Sequence, residues 1–105
     1  MFDTKLWQKM PLCQQMGNIG SEITRAFYWK NKDKEIAQKT ADKALELFDL
    51  TIDDQRRKRG LGEILKMRSL FCDCFWELGN FAVSEQNLKD YFIPFAFQFN
   101  QKIAY

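Results

Sequence analysis

The chain has 105 residues, 46% of them apolar and 29% charged, with a net charge of +2. That is enough for one domain around one core, and too little charge to require a nucleic-acid partner. Histidine is absent, which removes the commonest general base, the commonest metal ligand and the usual near-neutral pH switch.

The charge is uneven along the chain. Residues 1–60 carry 12 basic and 9 acidic side chains, whereas 61–105 carry 4 and 5, and 10 of the 16 aromatics lie from Phe71 onward. Cys13, Cys72 and Cys74 make an odd set with no secretory h-region ahead of them. The expectation is a reducing cytoplasm with free thiols. Cys72 and Cys74, two residues apart on a helix, point their sulfurs well away from each other and cannot share a metal there. No apolar run approaches the ~20 residues that span a bilayer, so no membrane partner is expected. No cofactor, metal site or catalytic constellation is evident.

Residues 1–10 suggest a short helical lead-in, with Phe2, Leu6, Trp7 and Met10 lying across the end of a bundle. Pro11 suits the first turn of a long helix over about 11–30. On this helix Leu12, Met16, Ile19, Ile23, Ala26 and Phe27 fall on one arc, and Gly17, Gly20, Ser21 and Thr24 on the next. A glycine inside a helix costs about 1 kcal/mol against alanine, so two of them imply close approach of another helix. The phosphate-loop reading fails, because Gly-Asn-Ile-Gly lacks both the Lys-Ser/Thr of a P-loop and the third glycine of a dinucleotide fingerprint.

Asn31 or Asp33 is placed to cap a second helix over about 33–50. Its apolar half, Ile36, Ala37, Ala41, Ala44, Leu45, Leu47, Phe48 and Ile52, faces one side, and a charged half faces the other. The main break follows, with Asp53 or Asp54 as a new cap and the basic run Arg56, Arg57, Lys58 and Arg59. Clustered basic residues neutralise phosphates, which makes this run the candidate nucleic-acid site. Asp49, Asp53 and Asp54 offset much of its field.

A third helix is expected over about 61–78, with Gly79 as its C-terminal cap. Its apolar arc is wide, leaving Lys66, Ser69, Asp73 and Glu77 as the polar strip. Such an arc implies a central helix or contact with another chain. Arg68 lies inside it and needs a partner if buried; Glu22, at the edge of the first helix's core stripe, is the expected buried ion pair. Ser84 then caps a last helix in which Leu88, Tyr91, Phe92, Phe95, Phe99 and Ile103 keep helical spacing through Pro94. An interior proline bends or breaks a helix, so a kinked helix or two short ones meeting at Ile93 are expected. Ile93 and Phe97 point off the core stripe and, with Trp76, suggest an oligomer or partner interface, unless the lead-in with Trp7 covers them.

The sum is an all-α, up-down-up-down four-helix bundle of one domain, with a short helical lead-in and a last helix kinked at Pro94. The segments Gly-Asn-Ile-Gly-Ser-Glu-Ile-Thr-Arg-Ala at 17–26, Ala-Leu-Glu-Leu-Phe-Asp-Leu-Thr-Ile at 44–52 and Tyr-Phe-Ile-Pro-Phe-Ala at 91–96 resemble a group of small bacterial helical proteins. That resemblance covers most of the chain and implies a helical bundle with no assigned activity. At fold level the layout is similar to HEPN helical domains of toxin–antitoxin and defence systems, and to accessory bundles of reverse transcriptases. The HEPN nuclease signature pairs an arginine with a histidine a few residues on. No histidine is present, so no catalytic residue is carried over. The expectation is a non-enzymatic interaction protein docking on itself or on a larger partner. The alternative is a nucleic-acid-associated accessory that uses residues 56–59.

Overall fold

A computed structural model describes residues 3–103, with side chains described for 3–97. Phe2, Phe99 and Ile103, expected to join the core, have side chains outside the described residues. Five α-helices follow one another: α1 (Thr4–Trp7), α2 (Leu12–Lys30), α3 (Lys34–Ile52), α4 (Leu61–Phe75) and α5 (Glu85–Ile103). Among the described residues there is no strand, and no helix is long and apolar enough to cross a membrane.

Local chemistry sets most of these boundaries. The Asp3 carboxylate accepts from the Lys5 and Leu6 amides and starts α1. Pro11 is extended and stands just before α2 rather than inside it, its carbonyl accepting from the Gln14 and Gln15 amides. Asp33 accepts from the Glu35 and Ile36 amides and starts α3. Asp54 caps a 3₁₀ turn at Gln55–Arg57, and Gly60, at φ +80°, precedes α4. Ser84 and Asn87 cap α5 reciprocally, each side chain accepting from the other's amide at 3.0 and 3.1 Å.

α4 stops three residues short of the expected end. Glu77 adopts the left-handed conformation, φ 53°, and the Leu78 amide reaches back to the Asp73 carbonyl at 3.0 Å. This six-to-one closure normally recruits glycine; here glutamate occupies the position and Gly79 lies in the loop beyond. α5, by contrast, is one helix that continues through Pro94.

The long helices pack in a ring: α2 against α3 and α5, α3 against α4, and α4 against α5. α2 and α4 are therefore diagonal. An aromatic cluster fills the centre, with Phe27 edge-on to Phe71 and Phe75, and Phe48 edge-on to Phe92. α2, not α4, is the helix packed most extensively. Within the wide apolar arc of α4, Ile64, Met67, Phe71 and Phe75 are buried, whereas Leu65 and, just beyond the helix, Leu78 are exposed. Burial pushes the Tyr91 phenol up to about 12, with the Glu63 carboxylate of α4 adding to the effect.

The diagonal arrangement corrects the expected Glu22–Arg68 pair. Arg68 is half-buried at the α3–α4 contact, where its Nε donates to the Asp49 carboxylate at 2.9 Å. Glu22, on α2, accepts instead from Arg25 Nη1 at 2.8 Å, one helical turn on. Its second oxygen, Oε2, is buried without a hydrogen-bond partner. Asp73 also departs from the solvent strip assigned to it. It is buried, and its carboxylate accepts from the Asn80 and Phe81 amides at 2.8 and 3.1 Å, pinning the loop that follows α4.

Candidate functional site

Two regions contain most of the residues singled out above, and they lie on different parts of the molecule. The first is the basic run after α3. Arg56 is exposed but tied within the chain. Its Nε and Nη2 bind both oxygens of Asp54 at 3.0 and 2.7 Å, and Nη2 also donates to the Met10 carbonyl at 2.7 Å. Arg57 donates from Nε to Gln15 Oε1 at 2.8 Å and from Nη2 to the same Met10 carbonyl at 3.2 Å. Only Lys58 and Arg59 of the four are exposed on this turn without such ties. Arg56 and Arg57 thus also fasten the N-terminal lead-in to this turn.

Gln15 stands at the centre of that network, fully buried. Its amide nitrogen donates to the Trp7 carbonyl at 2.8 Å and to Asp54 Oδ2 at 3.0 Å, while its oxygen takes the Arg57 bond. Every polar atom of that side chain is used, as burial demands. Trp7 is 1% exposed and donates from its indole to Thr51, whose hydroxyl in turn donates to the Leu47 carbonyl. The Arg56 guanidinium holds the Asp54 carboxyl far below the usual carboxylate range, against the opposing effect of burial. Burial also lowers the Arg57 pKa from its ordinary value.

The second region lies between α2 and α5. The α5 backbone approaches α2 closely at its glycines. A Cβ on Gly17 would meet the Ala96 Cα at 3.5 Å, and a Cβ on Gly20 would strike the Phe92 Cβ at 2.6 Å. Ser21 and Thr24, on the same arc of α2, stay exposed and line an open groove of about 550 Å³ beside that contact. Tyr28, Trp29, Phe92 and Ile93 supply its apolar walls, and Arg25 and Lys89 its charge. Ile93 is 59% and Phe97 61% exposed. Trp7, buried against α3, does not cover them.

Trp76, grouped with Ile93 and Phe97 on sequence grounds, belongs elsewhere. It follows the end of α4, packs edge-on against Phe75, and donates from its indole to Gln38. It lines a separate depression of about 410 Å³ with Lys30, Lys34, Ala37 and Phe75. The early end of α4 causes this, because Trp76 turns back over the aromatic core.

Burial pushes the Cys72 and Cys74 thiols up, so both favour the neutral form over the nucleophilic thiolate. Among the described residues, no three His, Cys, Asp or Glu side chains come together in a way that could hold a metal ion. Gln15, which organises one end of the bundle, is not singled out by the sequence, and Asp73 reads there only as part of a polar strip. The one signal available for Gln15 was its position beside the core stripe, at Met16 and Ile19. Comparison of the chain with protein-family models, with curated proteins and with solved structures finds no match in any of the three.

Proposed function

We propose that this chain is a non-enzymatic interaction module whose working surface is the α2/α5 face. One observation carries the reading: large apolar side chains, Ile93 and Phe97, stand in solvent next to an apolar-walled groove. Exposed apolar surface beside a concavity is costly to keep uncovered and marks interaction sites. The alternative, an accessory that grips nucleic acid through residues 56–59, draws less support from the geometry. Two of its four cations are engaged internally, which leaves Lys58 and Arg59 as the phosphate-facing charges.

Native mass spectrometry of the protein purified at low salt from its own host tests the reading. The expected result is a defined complex with protein, and a bare monomer free of any partner would refute it. Co-purifying RNA that is lost when Lys58 and Arg59 are changed to alanine would instead establish the accessory role.

A further inference from the structure

The chemistry of the α2/α5 groove constrains what can occupy it. Its charged lining residues are Arg25 and Lys89, with no carboxylate lining the groove. Each is paired nearby, Arg25 to Glu22 and Lys89 to Glu85, but neither is saturated. Arg25 gives Glu22 only Nη1, and Lys89 gives Glu85 one bond from its ammonium. A guanidinium has five N–H donors and an ammonium three, so both can take another carboxylate. Along α2 the lining runs from Gly17 to Trp29, which at 1.5 Å per residue is about 18 Å. That is the length of a three-turn helix lying in an open trough.

Two other occupants fit poorly. A second copy docked groove to groove about a twofold axis would bring a lining with the same two cations and no carboxylate, so the two linings offer each other no opposite charge. A nucleic-acid strand needs free stacking faces and a track of cations. Yet Lys32 already covers the Tyr28 ring, its ammonium 4.2 Å from the centroid, and two cations make a short track.

We infer that the groove receives an amphipathic helix from a different protein, apolar along one face and acidic at its flank. Trp29 and Ile93 hold the apolar face, and Arg25 and Lys89 take the carboxylates. Helix-in-groove recognition uses such anchors at i, i+3, i+4 and i+7. The inference rests on the interaction reading above and adds the chemistry of the partner.

The test places a photo-crosslinking amino acid at Ile93 of the full chain in its own host, and in a second strain at Leu65 on the outer side of α4, 44% exposed. At Ile93 the expected adduct is a peptide with helical apolar spacing and net negative charge. In the same strain Lys89→Glu is expected to cut its yield about tenfold, as loss of a steering and pairing charge would, with Lys89→Arg restoring it. Thermal melting of each variant checks its folding. If Lys89→Glu proves unfolded, loss of the adduct toward about 1 M salt, where screening reaches about 3 Å, provides the same readout. Adducts to a second copy, to RNA, or to a segment without acidic residues would overturn the inference. Adducts at Leu65 alone would overturn both the inference and the placement of the working surface on the α2/α5 face, whereas adducts to a second copy at Ile93 would overturn the inference alone. No adduct at either position would remove both.

Discussion

The basic turn after α3 and the apolar face of α5 both have the composition of binding surfaces, yet the fold treats them in opposite ways. At the turn, Arg56 and Arg57 are drawn inward by Asp54, Gln15 and the Met10 carbonyl, so that charge becomes an internal fastener. At α5, Ile93 and Phe97 are left outward although apolar side chains are the ones burial favours. The difference is one of supply. The lead-in brings unsatisfied acceptors to the turn, whereas no described element crosses over α5. Where internal partners exist the chain uses them, and a surface for others remains only where they are lacking.

The largest test of this contrast is Asp54→Ala. It removes the carboxylate that caps the 3₁₀ turn and takes a buried Gln15 N–H, while exposed Arg56 can turn to water, so the two losses together should cost about 3 kcal/mol in urea unfolding. The same group gives the fold an acid limb. Its carboxyl titrates below the ordinary 3.8 in the folded state, so its contribution is complete above about pH 4 and is lost as pH falls through the folded value. Asp54→Asn should flatten that part of the stability–pH curve.

Next comes Gly20→Ala, where the added methyl meets Phe92 and should cost about 2 kcal/mol. Gly17→Ala, with room for ordinary contact, should be neutral or gain up to about 1 kcal/mol from helix propensity. Equal losses at both positions would mean that α5 lies differently against α2. Within the basic run, Arg57→Ala should cost about 2 kcal/mol by leaving the buried Gln15 Oε1 without its donor, while the Met10 carbonyl keeps Arg56. Arg59→Ala should stay within about 0.5 kcal/mol. A uniform response across the run would break the division between fastened and free cations. The smallest expected effect is at the groove itself. Ile93→Ser should change the stability of the isolated chain by less than about 0.5 kcal/mol, and a larger loss would show that Ile93 serves the core.

Local chemistry was legible in the sequence. Asp33 and Ser84 start helices because their side chains satisfy amides two or three residues on, and the heptad-like spacing of Ile19, Ile23, Ala26 and Phe27 marks a buried stripe. What escaped depends on partners distant in the chain. Arg57 finds Gln15 across 42 residues and Met10 across 47, and no local rule announces either. Arg68 was paired with the wrong acid because helical wheels give the face of a residue but not which helix lies opposite. Once α2 and α4 are diagonal, Asp49 is the carboxylate within reach. Asp73 looked like solvent-strip charge because the amides that bury it belong to a loop whose path was unknown. At the groove, the exposure of Ile93 and Phe97 could be anticipated from the wheel, but the concavity beside them arises from two helices together.

The three tryptophans are distributed so that each reports a different part of the molecule. Trp7 is sealed in the polar network at one end, Trp29 lines the α2/α5 groove, and Trp76 lies over the depression by α3. Indole emission shifts with the polarity around the ring, so replacing two of them by phenylalanine leaves a chain that carries its own optical probe. A Trp29-only variant would shift colour as an occupant displaces water from the groove. A Trp7-only variant would stay silent until the lead-in detaches. Binding and unfolding would then be followed in two variants, each by its own signal, with no dye attached.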